Sequence, residues 1–361
     1  MAGDQDVPVT LGAKGEKGLF SIFHSPSKDI GIDLGTANTL FYLRNKGIVL
    51  NEPSVLAVRN GARGLKKVLA AGGNAKDMLG KTPDHINVSR PLQHGVISDF
   101  ESAQSMLKQF LEQVDYSSFG ARPRIVISVP CDVTPIEKRA AKEAAEAAGK
   151  GEVYLIEEPM AAAIGAGLPI TEPAGSMIVD IGSGLTEVAV VSLSGIVYCN
   201  AVRIAGEDMD EAIVNYIRRK YNLLIGDQTA EKIKIAIGSA YPDADEETRT
   251  MAINGRNLMD GIPQSLEVSS PEIREAIAEP VHSITDAIRI ALERMPPELA
   301  SDIVDTGIVL SGGGSLLKNL DRLIHKVTQV PVHVADNAMT VVAKGAGRVL
   351  DELALLKEIS V

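Results

Sequence analysis

The chain has 361 residues, of which 45% are hydrophobic and 23% charged, and a formal net charge of −11. That length suits two lobes better than one small core, and an acidic chain without a long basic run excludes a nucleic-acid surface as its main business. No apolar run reaches the roughly 20 residues that span a bilayer, no secretory signal opens the chain, and Cys131 and Cys199 make no disulfide framework and fit a reducing cytosol.

Residues 1–28 read as a polar, Gly/Lys-rich flexible tail, interrupted by the apolar segment Gly18–Phe23. From Asp29 the texture turns to short apolar runs. Ile30–Gly35 predicts a strand ending in a glycine turn, and Thr39–Leu43 a second strand paired with it as a hairpin. Arg124–Pro130 reads as a buried strand closed by proline, and Pro135–Ala148 as an Ala-rich helix capped by Gly149. Val153–Ile156 then predicts a strand and Pro159–Ile164 a helix. Strands alternating with helices argue for an α/β architecture around mixed sheets. The pattern then restarts, with Ser176–Gly182 mirroring the first strand and Glu187–Val191 the second. A repeat this long is a domain duplication, so two similar lobes with a cleft between them are expected.

The repeated turns carry the chemistry. Asp33-Leu34-Gly35-Thr36-Ala37-Asn38-Thr39 can cradle phosphate, because glycine lets the backbone approach closely while amides and the Thr and Asn side chains donate to oxygens. Asp180-Ile181-Gly182-Ser183-Gly184-Leu185-Thr186 can do the same from the other side. Asp33 and Asp180, one at each strand end, are placed to hold Mg²⁺ through its water shell, since magnesium favours a few carboxylates plus phosphate oxygens. A third cluster, Ser311-Gly312-Gly313-Gly314-Ser315-Leu316, follows an apolar strand and precedes a helix whose N-terminus can present amides to a nucleotide. No Walker lysine pattern occurs, which excludes a P-loop protein.

In this order and spacing the three elements resemble the phosphate-1, phosphate-2 and adenosine motifs of the actin, sugar-kinase and heat-shock chaperone superfamily. Asp29–Leu40, Glu157–Gly165 and Pro297–Ala300 resemble the MreB family of bacterial actins more closely, over a span from about Asp29 to Leu353. The resemblance implies an actin-like pair of duplicated ribonuclease-H-like domains, two lobes of two subdomains each around a nucleotide cleft. Residues 29–59, 93–172 and 345–361 would form the large subdomain of the first lobe and 60–92 its small one. Residues 173–208 with 273–344 would form the large subdomain of the second lobe, and 209–272 its small one. It also implies that Glu231 and Lys234, at i and i+3 on one helical face, contact the nucleoside.

By the same resemblance Glu158 activates the water that attacks the γ-phosphate, with Glu157 beside it as the alternative. The family usually reads Asp-Ile-Gly-Gly-Gly-Thr-Thr-Glu at the second turn. Here Leu185 stands where a Thr hydroxyl is expected, and leucine neither donates nor accepts a hydrogen bond. ATP and Mg²⁺ binding are therefore expected to survive while hydrolysis is slowed, unless Thr186 supplies the hydroxyl after a small shift.

Leu19, Phe20, Ile22 and Phe23, with Lys14, Lys17 and Lys28 nearby, form a candidate membrane-surface segment, supported by the loop around Phe119. The leading expectation is an ATP-binding cytoskeletal filament, peripheral at the inner face of the cytoplasmic membrane, that sets cell shape through elongation and wall synthesis. Self-assembly comes from the resemblance alone, since head-to-tail contacts leave no local motif. The alternatives are a slow or non-hydrolysing filament regulator, a small-molecule kinase on the same fold, or a chaperone ATPase, for which no substrate-binding segment follows the core.

Overall fold

The computed structural model describes residues 29–60, 66–114, 123–149, 151–242 and 247–361. The candidate membrane segment Leu19–Phe23 and the loop around Phe119 lie outside them.

Alternating apolar residues build each central sheet, because successive strand side chains point to opposite faces. In the first lobe, β1 (Ile30–Leu34), β2 (Asn38–Leu43) and β3 (Gly47–Pro53) run as an antiparallel meander. A small sheet follows from β4 (Leu56–Asn60), β5 (Lys66–Ala71) and β6 (Ile86–Ser89), with the short helix α1 (Gly73–Lys76) between the last two. Strand β4 pairs with β5 and β6 and not with the main sheet. A two-stranded hairpin, β7 (Leu92–Gln93) and β8 (Val96–Ile97), returns the chain to α2 (Phe100–Gln113), which Asp99 caps by accepting from the Ser102 amide. Strand β9 (Arg124–Val129), helix α3 (Pro135–Gly149), strand β10 (Glu152–Glu157) and helix α4 (Glu158–Ala166) complete the lobe.

The second lobe repeats the plan with β11 (Ser176–Ile181), β12 (Thr186–Ser192) and β13 (Gly195–Val202). Its small subdomain contains α5 (Gly206–Tyr221), β14 (Leu223–Leu224), α6 (Asp227–Ile237), β15 (Thr250–Asn257) and β16 (Pro263–Ser269). Helices α7 (Ser270–Ala276), α8 (Ala278–Arg294) and α9 (Pro297–Thr306) lead to β17 (Ile308–Ser311), α10 (Leu320–Thr328) and β18 (Val332–Val334). The chain then crosses back through α11 (Val341–Arg348) and α12 (Leu353–Ile359).

The strand orders are β10-β9-β1-β2-β3 and β13-β12-β11-β17-β18, the same five-stranded topology twice. In each sheet the Asp-bearing strand pairs antiparallel with the next strand and parallel with a later one. The expected duplication is therefore present in the folding of the chain.

The lobes meet in a core of their own. Val126 and Ile156 from the first sheet and Ile178, Ala189 and Val191 from the second enclose Met160, Ala161 and Ala162 of α4 and Val341 and Val342 of α11. The two helices touch backbone to backbone: a Cβ on Gly165 would lie 1.9 Å from the Val341 carbonyl oxygen, and one on Gly345 1.8 Å from that of Ala161. This close crossing is the seam about which the lobes are joined.

The cysteines correct an expectation. Cys131, in the turn after β9, is disulfide-bonded to Cys199 on β13. The two are 68 residues apart, and only docking of the lobes brings them to a Cα–Cα distance of 6.7 Å.

Candidate nucleotide cleft

The duplicated turns face each other across a cavity of about 400 Å³ between the lobes. Asp33, Gly35, Thr36, Ala37 and Asn38 line it from the first lobe, and Asp180, Gly182, Ser183, Gly184 and Leu185 from the second. Gly312, Gly313, Gly314 and Leu316 form one wall, and Glu158, Glu231 and Lys234 also reach the cavity. Two expected residues do not. Thr186 is fully buried and its hydroxyl donates to the Ile204 carbonyl at 2.8 Å. Its parity explains this, because Thr186 shares the strand face of Val188 and Val190, which pack in the core of the second lobe. Ser315 is buried as well and donates to the Gly312 carbonyl at 2.6 Å.

The third glycine cluster is shaped by contact with the second turn. Gly312 has φ +80°, and a Cβ there would lie 2.3 Å from the Ile181 carbonyl oxygen, so only glycine fits. A short 3-10 helix, Gly313–Leu316, follows it in place of the expected α-helix, which begins only at Leu320.

Each aspartate is held by a serine on the adjacent parallel strand. Ser128 donates to Asp33 Oδ1 at 3.3 Å and Ser311 to Asp180 Oδ1 at 2.6 Å. Sequence reasoning passed over both serines, although Ile125-Val126-Ile127-Ser128 and Ile308-Val309-Leu310-Ser311 carry the same strand-end pattern. Desolvation and the neighbouring Asp180 charge push Asp33 up to about 7, against the hydrogen bond from Ser128. Burial likewise raises Asp180, opposed by Ser311. Burial and the neighbouring Glu187 charge push Glu158 up, and burial pushes Glu187 up as well. Buried carboxylates this close together, Asp33, Glu158, Asp180 and Glu187, are unfavourable unless a cation or protons neutralise them. The all-oxygen donor set of Asp33 and Asp180 suits a hard divalent ion such as Mg²⁺.

Contacts across the mouth close the cleft. Lys76 Nζ lies 3.0 Å from Glu231 Oε2, and the Gln228 side-chain amide donates to the Lys76 carbonyl at 3.1 Å. Lys234 is paired with Asp210 at 2.9 Å and donates to the Gly206 carbonyl at 2.7 Å, so the expected nucleoside-contacting pair is engaged with protein groups. Deeper in, the β7–β8 turn bridges both phosphate turns. The Gly95 amide donates to Thr36 Oγ1 at 2.8 Å, and His94 Nδ1 donates to the Gly184 carbonyl at 2.9 Å. No sequence signal marked His94 or Gly95, because the bridge exists only once the lobes are docked.

This duplicated cleft has relatives. The family model described as MreB/Mbl protein matches residues 27–358. The chain belongs to the MreB/Mbl family. The cell shape-determining protein MreB of Escherichia coli K12 is 54% identical over 327 residues, covering 90% of this chain and 94% of that protein. The cell shape-determining protein Mbl of Bacillus subtilis is 47% identical over 327 residues, covering 91% and 97%. Among solved structures, MreB5 of Spiroplasma citri bound to ADP is 38% identical with a TM-score of 0.84, covering 91% of this chain and 97% of that one. The same MreB5 has been solved with AMPPNP. The MamK double helical filament, 22% identical over 90% of this chain and 98% of its own with a TM-score of 0.75, shares the actin-like fold.

Proposed function

We propose that this MreB/Mbl chain is an ATP-binding cytoskeletal protein that assembles head to tail with copies of itself and directs cell shape through elongation and wall synthesis. The observation that carries the nucleotide reading is the placement of two equivalent Asp–Gly turns on opposite sides of one cavity. The ADP- and AMPPNP-bound relatives support it. The backbone amides of residues 35–38 and 182–185 would bind the phosphates, and the Gly312–Gly314 wall would lie beside the adenosine. Glu231 and Lys234 would reach the nucleoside by exchanging their present partners. Asp33 and Asp180 would hold Mg²⁺, which when bound neutralises charge developing on the phosphate oxygens.

Glu158, at the start of α4 and facing the cavity, orients the attacking water and accepts its proton. Glu157 is not among the cavity-lining residues, which favours Glu158 of the two. With Leu185 lining the cavity and Thr186 turned into the core, no threonine hydroxyl of this turn faces the cavity. This favours slow hydrolysis, and with it a second reading in which the filament acts as a slowly cycling regulator.

No helix among the described residues is long and apolar enough to cross a membrane. We place the protein in the cytoplasm and at the inner face of its membrane, with Leu19–Phe23 as the anchoring segment and avidity along the filament adding many weak anchors.

Sedimentation with ATP and Mg²⁺, with and without anionic liposomes, tests the whole reading while phosphate release is followed in parallel. Nucleotide-dependent pelleting and liposome co-sedimentation are expected. Protein that stays in the supernatant under all conditions overturns the filament reading, and substrate-dependent ADP formation without pelleting would assign it to the kinases of this fold.

A further inference from the structure

The only two cysteines in the chain lie on opposite lobes and are bonded to each other. Cys131 follows Pro130 at the end of β9 in the first lobe. Cys199 lies on β13, the edge strand of the second lobe's sheet, in register with Ala189 of β12 and so on the strand face turned to the first lobe. Among the described residues this is the one covalent link between the lobes apart from the main chain itself. Both cysteines are half-buried rather than sealed in the core.

The link also touches the chemistry of the cleft. The Cys131 amide donates to Glu187 Oε1 at 2.7 Å, and the Glu187 charge is among the causes that raise the buried Glu158 carboxyl. A carboxylate oxygen of Glu187 and the two sulfurs lie within 4.8 Å of one another. The segment that carries the sulfur therefore also positions the charged neighbour of the water-orienting glutamate.

Two-lobed clefts admit and release ligands by rotation about a seam, here the α4–α11 crossing. A bond between points on either lobe removes part of that rotation, whereas two free thiols permit it. In a reducing compartment such a bond is a transient device rather than a permanent staple. We propose that Cys131 and Cys199 form a reversible disulfide tether that restrains opening of the cleft when oxidised and releases it when reduced. Its consequence for nucleotide exchange rests on the nucleotide-cleft reading above.

The exchange step balances with a low-molecular-weight thiol–disulfide couple. On oxidation, one protein thiolate attacks an external disulfide, expelling one small thiol and forming a mixed disulfide. The second protein thiolate then displaces the other small thiol. The protein loses two electrons and two protons, and the external disulfide becomes two thiols. Reduction by a dithiol runs the same steps in reverse.

The test uses the full chain equilibrated with a reduced dithiol or with an oxidised low-molecular-weight disulfide. Thiol alkylation with intact mass reads the bond, release of a fluorescent ADP analogue reads exchange, and amide hydrogen exchange of residues 129–134 and 196–202 reads lobe mobility. Oxidised protein is expected to resist alkylation, to release nucleotide several-fold more slowly and to show slower hydrogen exchange. Cys199→Ser and Cys131→Ser should each behave like reduced protein under both conditions. Two freely alkylated cysteines after oxidation overturn the proposal. So does a proven disulfide that changes neither nucleotide release nor hydrogen exchange. Failure of the fluorescent nucleotide to bind in either state would overturn the nucleotide reading instead, and equal hydrogen exchange in both states would then overturn the tether as well.

Discussion

Lys76 Nζ meets Glu231 Oε2 at 3.0 Å across the mouth of the cleft, joining the small subdomain of one lobe to that of the other. Both side chains are about one-third exposed, so solvent screens the pair and its contribution stays below about 1 kcal/mol. Lys76→Ala should therefore speed nucleotide release by no more than roughly fivefold and leave the fold intact. Stopped-flow release of a fluorescent nucleotide checks this. A much larger effect would mean that Lys76 contacts the ligand itself.

Asp33 makes the metal-free protein sensitive to pH. Its folded-state value is raised from 3.8 to about 7, so the folded state holds more protons than the unfolded chain between those limits. Stability contributed by the protonated form is complete below the lower value and is lost as pH rises through the upper one. Chelator-treated protein should unfold at lower urea concentration near pH 8 than near pH 5. Asp33→Asn should flatten that slope and also abolish the Mg²⁺ dependence of nucleotide affinity. Equal urea midpoints for the wild type at the two pH values would refute the assignment.

Hydrolysis should answer to two side chains in opposite directions. Glu158→Gln removes the proton acceptor and should lower phosphate release by about 100-fold or more while nucleotide still binds. Leu185→Thr places a hydroxyl where the second turn lines the cavity and should raise release by about tenfold. Single-turnover phosphate release separates both effects from filament assembly. No change on Leu185→Thr would show that the leucine does not limit the rate.

Gly312→Ala tests how the third wall is held. A Cβ there meets the Ile181 carbonyl oxygen at 2.3 Å from a backbone with φ +80°, so both sterics and conformation oppose it. A loss of about 2 kcal/mol or more is expected from urea unfolding, together with weaker nucleotide binding. A variant of wild-type stability would show that the strand-end turn relaxes more freely than this contact allows.

The sequence by itself determined the duplicated plan and most of the cleft lining. Asp33-Leu34-Gly35 and Asp180-Ile181-Gly182 are local strand-end patterns, and a strand followed by a glycine turn folds alike wherever it recurs. Alternation along β12 even held the answer for Thr186, whose parity with Val188 and Val190 turns it into the core. The tertiary structure alone decided which distant groups meet. Ser128 and Ser311 become aspartate partners through parallel pairing with β1 and β11, and His94 reaches Gly184 only across the docked lobes. Lys76 finds Glu231 in the same way. Cys131 and Cys199 read as two unrelated thiols until docking brings them together, because a contact spanning 68 residues depends on how two lobes pack and leaves no periodicity in the chain between them.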